Sequence, residues 1–318
     1  VIEFPKGNGA PGHYLRSSYR YSCRIYDQMM KNPLPDFIYA KGFTGWKAVQ
    51  ERAAGRLKIP VGINFHGYEM FQPPPSFLGL MQQILLFRGP VKYISQNADA
   101  VFSYGGKIND IISAIGVAQK HRIEIPTGIE EAWLRTEPVE VNQVRKLVFL
   151  GRYERRKGIE ELNSALAGLL KSKLRFDFQF IGPIPEAKQI KDSRITYHGA
   201  IRDNEKIRGI LQSADFLVCP SHSEGMPNVI MEGMASGCAI LATDVGAVSL
   251  MAGNDNGILI STDELSKLGK HLQSAIEADE KKVKLWRETS VQKVRNNFLW
   301  QQIAKRHLEN FQNLIKKS

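Results

Sequence analysis

This 318-residue sequence predicts an α/β protein built from two parallel sheets covered by helices. Three observations carry that expectation. Short apolar runs alternate with amphipathic stretches along the whole chain, the pattern of strands joined by crossover helices. Eleven such runs would make an unusually wide open sheet, so two sheets fit better than one. The length leaves room for two domains at about 150 residues each. With 43% hydrophobic and 24% charged residues, the composition is that of an ordinary globular protein and excludes collagen-like, mucin-like and disordered classes.

In the first part, strands are expected at Val1–Pro5, Asp36–Ala40, Val61–Phe65, Ala100–Tyr104 and Arg122–Ile125. Helical patterns lie between them at Tyr14–Met30, Trp46–Gly55, Phe77–Ser95 and Lys107–Ile115. The second part reads as strands at Lys146–Leu150, Phe176–Ile181, Ile195–His198, Phe216–Cys219, Ala239–Ala242 and Gly257–Ile260. Its helices fall at Gly158–Leu170, Asn204–Ser213, Asn228–Ser236 and Thr262–Glu277, and residues 283–317 form a long helical ending. The polar stretch with Glu130, Glu131, Glu137, Pro138 and Glu140 marks a connector. The expected division is therefore 1–128, a linker 129–143, a second domain 144–282, and terminal helices 283–318.

Forty-three Lys and Arg against thirty-two Asp and Glu give a net charge of +11. Residues 1–128 hold fifteen basic and eight acidic side chains, an excess of seven. Such a surface favours an anionic partner or simply stays solvated. Nucleic acid is not expected, because no basic-aromatic motif or recognition helix accompanies the charge. The apolar run Phe77–Phe87 is interrupted by Gln82 and Gln83 and is too short to cross a bilayer. Cys23, Cys219 and Cys238 are odd in number and widely spaced, which suits buried thiols in a reducing compartment. No signal-peptide pattern opens the chain, so a cytoplasmic location is expected.

A G-x-G-x-x-G occurs at Gly7, Gly9 and Gly12, but the acidic residue that a dinucleotide site needs about twenty positions on is absent. A loop glycine cluster is the better reading. No P-loop, H-E-x-x-H, C-x-x-C or D-x-D is present. A diphosphate ligand would then be neutralised by cationic side chains and backbone dipoles rather than by a required metal.

Two stretches offer that chemistry. Strand Lys146–Leu150 runs into Gly151-Arg152-Tyr153-Glu154-Arg155-Arg156-Lys157-Gly158. Gly151 permits a tight exit, Arg152 can fork two phosphate oxygens, and Lys157 adds a point charge at the next helix start. A solvated basic turn is the bland alternative. After strand Phe216–Cys219, Ser221 to Glu232 contains Glu224, Gly225, Met226, Pro227, Asn228 and Val229 at a helix start. There, free N–H groups of Met226, Asn228 and Val229 beside the positive dipole end suit phosphate or sugar oxygens. Glu224 and Glu232 frame this turn and suit ligand hydroxyls, against readings as a cap and a core carboxylate. In the first part, His66-Gly67 at a strand's end can present an imidazole.

The E-x7-E of Glu224 and Glu232 around Gly-Met-Pro-Asn-Val-Ile-Met resembles the signature of a large retaining glycosyltransferase family, the "family four" type, with many bacterial glycan and glycolipid enzymes. Gly151 to Gly158 is similar to its phosphate motif, and His66-Gly67 to its first-domain His motif. Pro35-Asp36-Phe37-Ile38, Asn97-Ala98-Asp99-Ala100-Val101 and Pro126-Thr127-Gly128-Ile129 match weaker landmarks in order. The resemblance implies the GT-B fold, two Rossmann-like domains facing a cleft. It implies that Arg152 and Lys157 hold a diphosphate, Glu224 the donor sugar and Glu232 the ribose. The backbone from Gly225 to Val229 would meet sugar and phosphate, His66 would touch the sugar, and the loop with Gly199 and Ile201 would meet the base.

The implied reaction is metal-independent hexosyl transfer from a nucleotide-diphosphate sugar to a glycan or glycolipid hydroxyl, with no cofactor beyond that donor. The implied setting is cytoplasmic, with peripheral contact at an anionic membrane. The short path from the first strand to Pro35-Asp36 leads us to expect that the family's first β-α unit is missing. A nucleotide-sugar epimerase on the same fold and a catalytically silent sugar-nucleotide or glycan-binding subunit are the alternatives.

Overall fold

The computed structural model of the chain describes residues 12–74 and 77–317. The expected strand Val1–Pro5 and the glycines Gly7 and Gly9 lie outside them. The chain divides into two compact units, Val1–Pro126 with Ala304–Ser318, and Thr127–Ile303.

The first unit holds a parallel sheet of order β1-β2-β3-β4, made by Ile38–Lys41, Val61–Asn64, Ala100–Ser103 and Arg122–Glu124. Every residue of β2 and β3 is buried, so neither shows the apolar–polar alternation of a half-exposed strand. Helices α1 (His13–Met30), α2 (Trp46–Ala53) and α5 (Lys107–Ala114) accompany the sheet. The Arg52 guanidinium donates to both carboxylate oxygens of Asp99, and Asp99 accepts the Val61 N–H. One side-chain fork thus pins α2 to the entry of β2 and β3. His307 and Phe311 of the final helix lie against Tyr39 and Phe102.

The expected single helix Phe77–Ser95 is instead three pieces: α3 (Phe77–Gln82), a π-helical turn (Gln83–Phe87) and α4 (Arg88–Asn97). Pro90 explains the break. It has no N–H to donate, and placing it in the first turn of a new helix, after a wider π turn, leaves no donor missed.

The second unit holds six parallel strands in the order β10-β9-β8-β5-β6-β7. They are β5 (Arg145–Leu150), β6 (Phe176–Ile181), β7 (Ile195–Tyr197), β8 (Phe216–Cys219), β9 (Ala239–Thr243) and β10 (Gly257–Ile260). From β5 the chain builds outward through β6 and β7, then crosses to the other side for β8. The switch point therefore lies between β5 and β8, and an open sheet of this kind binds ligands beyond the carboxyl ends of such strands. Leu147, Phe149, Phe178, Phe180, Phe216 and Leu241 from the sheet, with Ile159, Leu162 and Leu166 of α6 (Ile159–Leu169) and Leu272 of α9 (Leu268–Ile276), form the core.

The start of the expected helix Thr262–Glu277 is a 3-10 turn closed by a Ser261–Glu264 capping box, and α9 follows it. The helical ending is two helices, α10 (Glu280–Asn297) and α11 (Trp300–Lys317). Between them Ile129 donates to the Phe298 carbonyl and accepts from the Trp300 N–H, so the backbone bonds sideways rather than along a helix.

Opposite the switch point, Arg287 of α10 and Asp215, just before β8, form a pair 2.7 Å apart with side chains 1% and 0% exposed. Asp215 also accepts the Asn142 and Lys146 N–H groups, while Arg287 donates to the carbonyls of Gly237, Glu140 and Gln212. These bonds satisfy two charges that burial would otherwise make untenable. They also tie residues 140–146 into this unit. We predict that Arg287→Ala lowers the stability of the unit by roughly 3–5 kcal/mol, because Asp215 is left buried and unpaired. A urea unfolding midpoint measured against the parent protein checks this, and Arg287→Met, which keeps volume but not charge, should also be destabilised.

Candidate functional site

The two motif loops leave the sheet at β5 and β8, on either side of the switch point. Backbone contact brings them together. Gly158 sits at φ 67°, and a Cβ there would stand 1.8 Å from the Pro220 carbonyl oxygen, so only glycine lets the first loop lie on the second. The His222 N–H donates to the Arg156 carbonyl at 2.8 Å, closing the same seam.

Across that seam, Lys157 Nζ lies 2.6 Å from Glu224 Oε1. Glu224 keeps 7% of its side chain exposed, and Lys157 keeps 18%. Ser221 Oγ donates to the same carboxylate oxygen at 2.8 Å. The Arg156 guanidinium donates to the Ser223 carbonyl at 3.0 Å and lies 3.4 Å from Glu224 Oε2. An ammonium, a guanidinium and a hydroxyl thus hold one buried carboxylate at the mouth of a helix.

That helix, α8, runs over Asn228–Ala235 with Pro227 as its N-terminal cap. Pro227 has no donor, so the exposed first turn at Asn228 and the half-buried Val229 present the helix's unpaired N–H end. Gly225 and Met226 are buried behind it; Ala247 donates to the Gly225 carbonyl, and the Thr127 N–H donates to Met226 Sδ. Glu232, one turn further along α8, is partly buried and has no ion pair among the described residues. Burial raises its pKa above the ordinary carboxyl value.

At the far side of β5, the Gly151 N–H donates to the Ile181 carbonyl and the Gly182 N–H to the Gly199 carbonyl. Gly182, at φ 136°, lies so close to Gly151 that a Cβ would fall 1.9 Å from the Gly151 oxygen. Gly199 and Ile201 therefore border the same strand ends, with Gly199 exposed and Ile201 half-buried.

Arg152 behaves differently. Its side chain is 72% exposed and pairs with Glu154 at 2.8 Å, while Arg156, which sequence reasoning left in a basic turn, reaches Glu224. Ser221 was likewise missed. Its position three residues before Glu224, across a tight turn, was the available signal.

His66 belongs to the first unit, just past β2. Its Nδ1 lies 2.9 Å from the Tyr104 hydroxyl. Although the residue is exposed overall, its neighbours crowd the ring, and this desolvation, with the charge of Lys41, pushes the pKa below the usual imidazole value. That shift favours the neutral form of the ring. Burial pushes the Cys219 and Cys238 thiols up to about 11 and about 12, which leaves neither as a nucleophile. Among the described residues no group of three or more His, Cys, Asp or Glu side chains is arranged to hold a metal.

Residues 144–278 match the family described as "Glycosyl transferases group 1". Among solved structures, sucrose-phosphate synthase from Thermosynechococcus elongatus is similar in fold, with a TM-score of 0.76 at 20% identity over 100% of this chain and 86% of that one. The fold is that of the GT-B glycosyltransferases. The Anabaena protein HepE, solved in complex with UDP-glucose, gives a TM-score of 0.69 at 18% identity over 92% of this chain and 82% of that one. In sequence, the chain is 34% identical over 265 residues to TuaC of Bacillus subtilis, a protein named for glycosyltransfer in teichuronic acid biosynthesis. That match covers 79% of this chain and 64% of TuaC, so the chain spans less than two thirds of that relative's length.

We predict two effects at this site. Gly158→Ala should lower stability by at least about 2 kcal/mol, combining a left-handed backbone penalty with the Pro220 clash; thermal unfolding checks it. Glu232→Gln should act in the other direction. The folded-state pKa of Glu232 is raised, so its carboxylate form destabilises the fold above that pKa and the penalty vanishes as pH falls through it. The variant should therefore melt higher than the parent at neutral and alkaline pH, with the gain shrinking on acidification.

Proposed function

We propose that the protein is a retaining glycosyltransferase that moves a hexosyl unit from a nucleotide-diphosphate sugar to a hydroxyl of a glycan or glycolipid. The observation that carries this reading is the meeting of Lys157 and Glu224 at 2.6 Å beside the N-terminus of α8, at the sheet's switch point. A cation and a helix mouth stand there next to a hydrogen-bonding carboxylate, which is what a diphosphate joined to a polyhydroxylated ring needs. The family match over 144–278 and the UDP-glucose bound by HepE support a nucleotide-sugar donor.

In this reading a bound diphosphate takes over Lys157, and Arg156 stays with Glu224 so that the carboxylate is never left unpaired. Arg152, exposed on its loop, swings from Glu154 to the phosphate. Glu224 accepts hydrogen bonds from sugar hydroxyls and Glu232 from the ribose. The Gly199–Ile201 loop borders the base, and His66, neutral, offers a hydrogen bond to the sugar. The bond from the anomeric carbon to the phosphate oxygen breaks and the acceptor oxygen bonds to that carbon on the same face. The acceptor's proton passes to the departing phosphate oxygen. Negative charge growing on that phosphate is stabilised by Lys157, Arg152 and the α8 N–H groups, without a required metal. The basic excess of residues 1–128 suits an acceptor held at an anionic membrane, with the protein in peripheral contact from the cytoplasmic side.

We expect Lys157→Ala to reduce turnover at saturating donor by roughly a hundredfold to a thousandfold while unfolding changes far less. Rates equal to the parent's would overturn the role of Lys157. A thermal-shift screen of nucleoside diphosphates and their sugars should identify the donor, since a ligand at a hundred times its Kd adds about 2.7 kcal/mol of stability. Product analysis with donor but no acceptor separates transfer from epimerisation.

A further inference from the structure

The segment from Phe77 to Phe87 has the composition of a core helix, yet neither α3 nor the π turn contains a single buried residue. Phe77, Leu78 and Leu85 are 76%, 79% and 71% exposed, and Met81 and Ile84 are exposed with them. A contiguous apolar face of this kind on a folded unit marks an interaction surface. Charge says what covers it. No acidic residue occurs between Glu69 and Asp99, while Lys92 is exposed on α4 beside the exposed Tyr93. Helix α1 abuts the ridge through Tyr14, whose ring meets Phe87 edge-on at 6.1 Å. Along α1, Arg16, Arg20 and Arg24 recur every fourth residue, all exposed and none in an ion pair among the described residues. Bare apolar side chains with exposed cations on the adjoining helices, outnumbering the exposed acids Glu69 beside the π turn and Asp27 on α1, complement an anionic bilayer interface. A protein partner would be expected to meet at least some opposing charge. No helix among the described residues is long and apolar enough to cross a membrane, so the ridge would lie in the interface plane.

We propose that the ridge formed by α3, the π turn and the start of α4 docks on an anionic phospholipid bilayer. Phe77, Leu78, Met81, Ile84 and Leu85 enter the acyl boundary, while Lys92 and the α1 arginines meet the headgroups. The π turn suits this role because it displaces successive side chains from a single narrow stripe and broadens the apolar face. This assignment rests on the membrane contact in the proposed function and names its surface, but it does not require the donor assignment to be right.

The test is vesicle flotation of the full chain, with thermal shift by nucleotide as a separate readout. The parent should float with vesicles of phosphatidylglycerol and phosphatidylcholine in equal parts and not with phosphatidylcholine alone. The double substitution Leu78→Gln with Leu85→Gln should weaken binding roughly tenfold or more. Replacing Arg16, Arg20 and Arg24 by Ala should weaken it by roughly fivefold per arginine. Both variants should keep the parent's melting temperature, since every replaced side chain is exposed, and its nucleotide-induced shift. The proposal is overturned if the parent does not float, if it binds neutral vesicles equally, or if the variants float as it does. It is also overturned if the parent self-associates in sedimentation and Leu78→Gln with Leu85→Gln abolishes that, because the ridge is then a contact between copies. Failed flotation with intact nucleotide binding removes this surface alone, and absent nucleotide binding with intact flotation removes the donor reading alone.

Discussion

The buried carboxylate of Glu224 sets the terms for everything around it. A charge that is almost wholly withdrawn from water must be matched by partners of fixed geometry. Lys157 and Arg156 come from the loop after β5, and Ser221 from the loop after β8, so satisfying one side chain forces two loops from either side of the switch point into register. The glycine at 158 and the carbonyl of Pro220 then have to touch. Lys157 is thereby held desolvated against one anion, and Arg156 gives the same carboxylate a second cation.

Much of the fold was legible because the central strands β2, β3, β8 and β9 are buried on both faces. Runs such as Phe216–Cys219 and Ala239–Ala242 show no alternation and can only be interior strands of a parallel sheet, and the structure has them there. The helix edges were harder. Nothing in the local pattern around Phe298 announces a break, because the partner that captures its carbonyl, Ile129, lies far away in sequence. The π turn was hidden for the opposite reason: Pro90 was visible, but the pattern around it remained helical on both sides.

The candidate site was legible at the level of motifs and less so at the level of side chains. Gly151, Lys157, Glu224 and the turn before α8 lie along the ends of adjoining strands, as strand order alone would dictate. Which arginine of Arg152, Arg155 and Arg156 turns inward could not be read from spacing. In a one-turn 3-10 segment such as Arg155–Lys157, the loop's entry from Glu154 decides the direction of each side chain. Asp215 and Arg287 were invisible as a pair, since seventy-two positions separate them and Arg287 is one of many charged residues along α10.

The last helix has a consequence for how the molecule comes to exist. Ala304 onward belongs with the first unit, where His307 and Phe311 complete an aromatic cluster around Tyr39 and Phe102. During synthesis these residues leave the ribosome only after all of Thr127–Ile303 has been made. The second unit can thus mature while its predecessor waits with an open flank, which reverses the usual order in which the earlier-made part of a nascent chain is finished first.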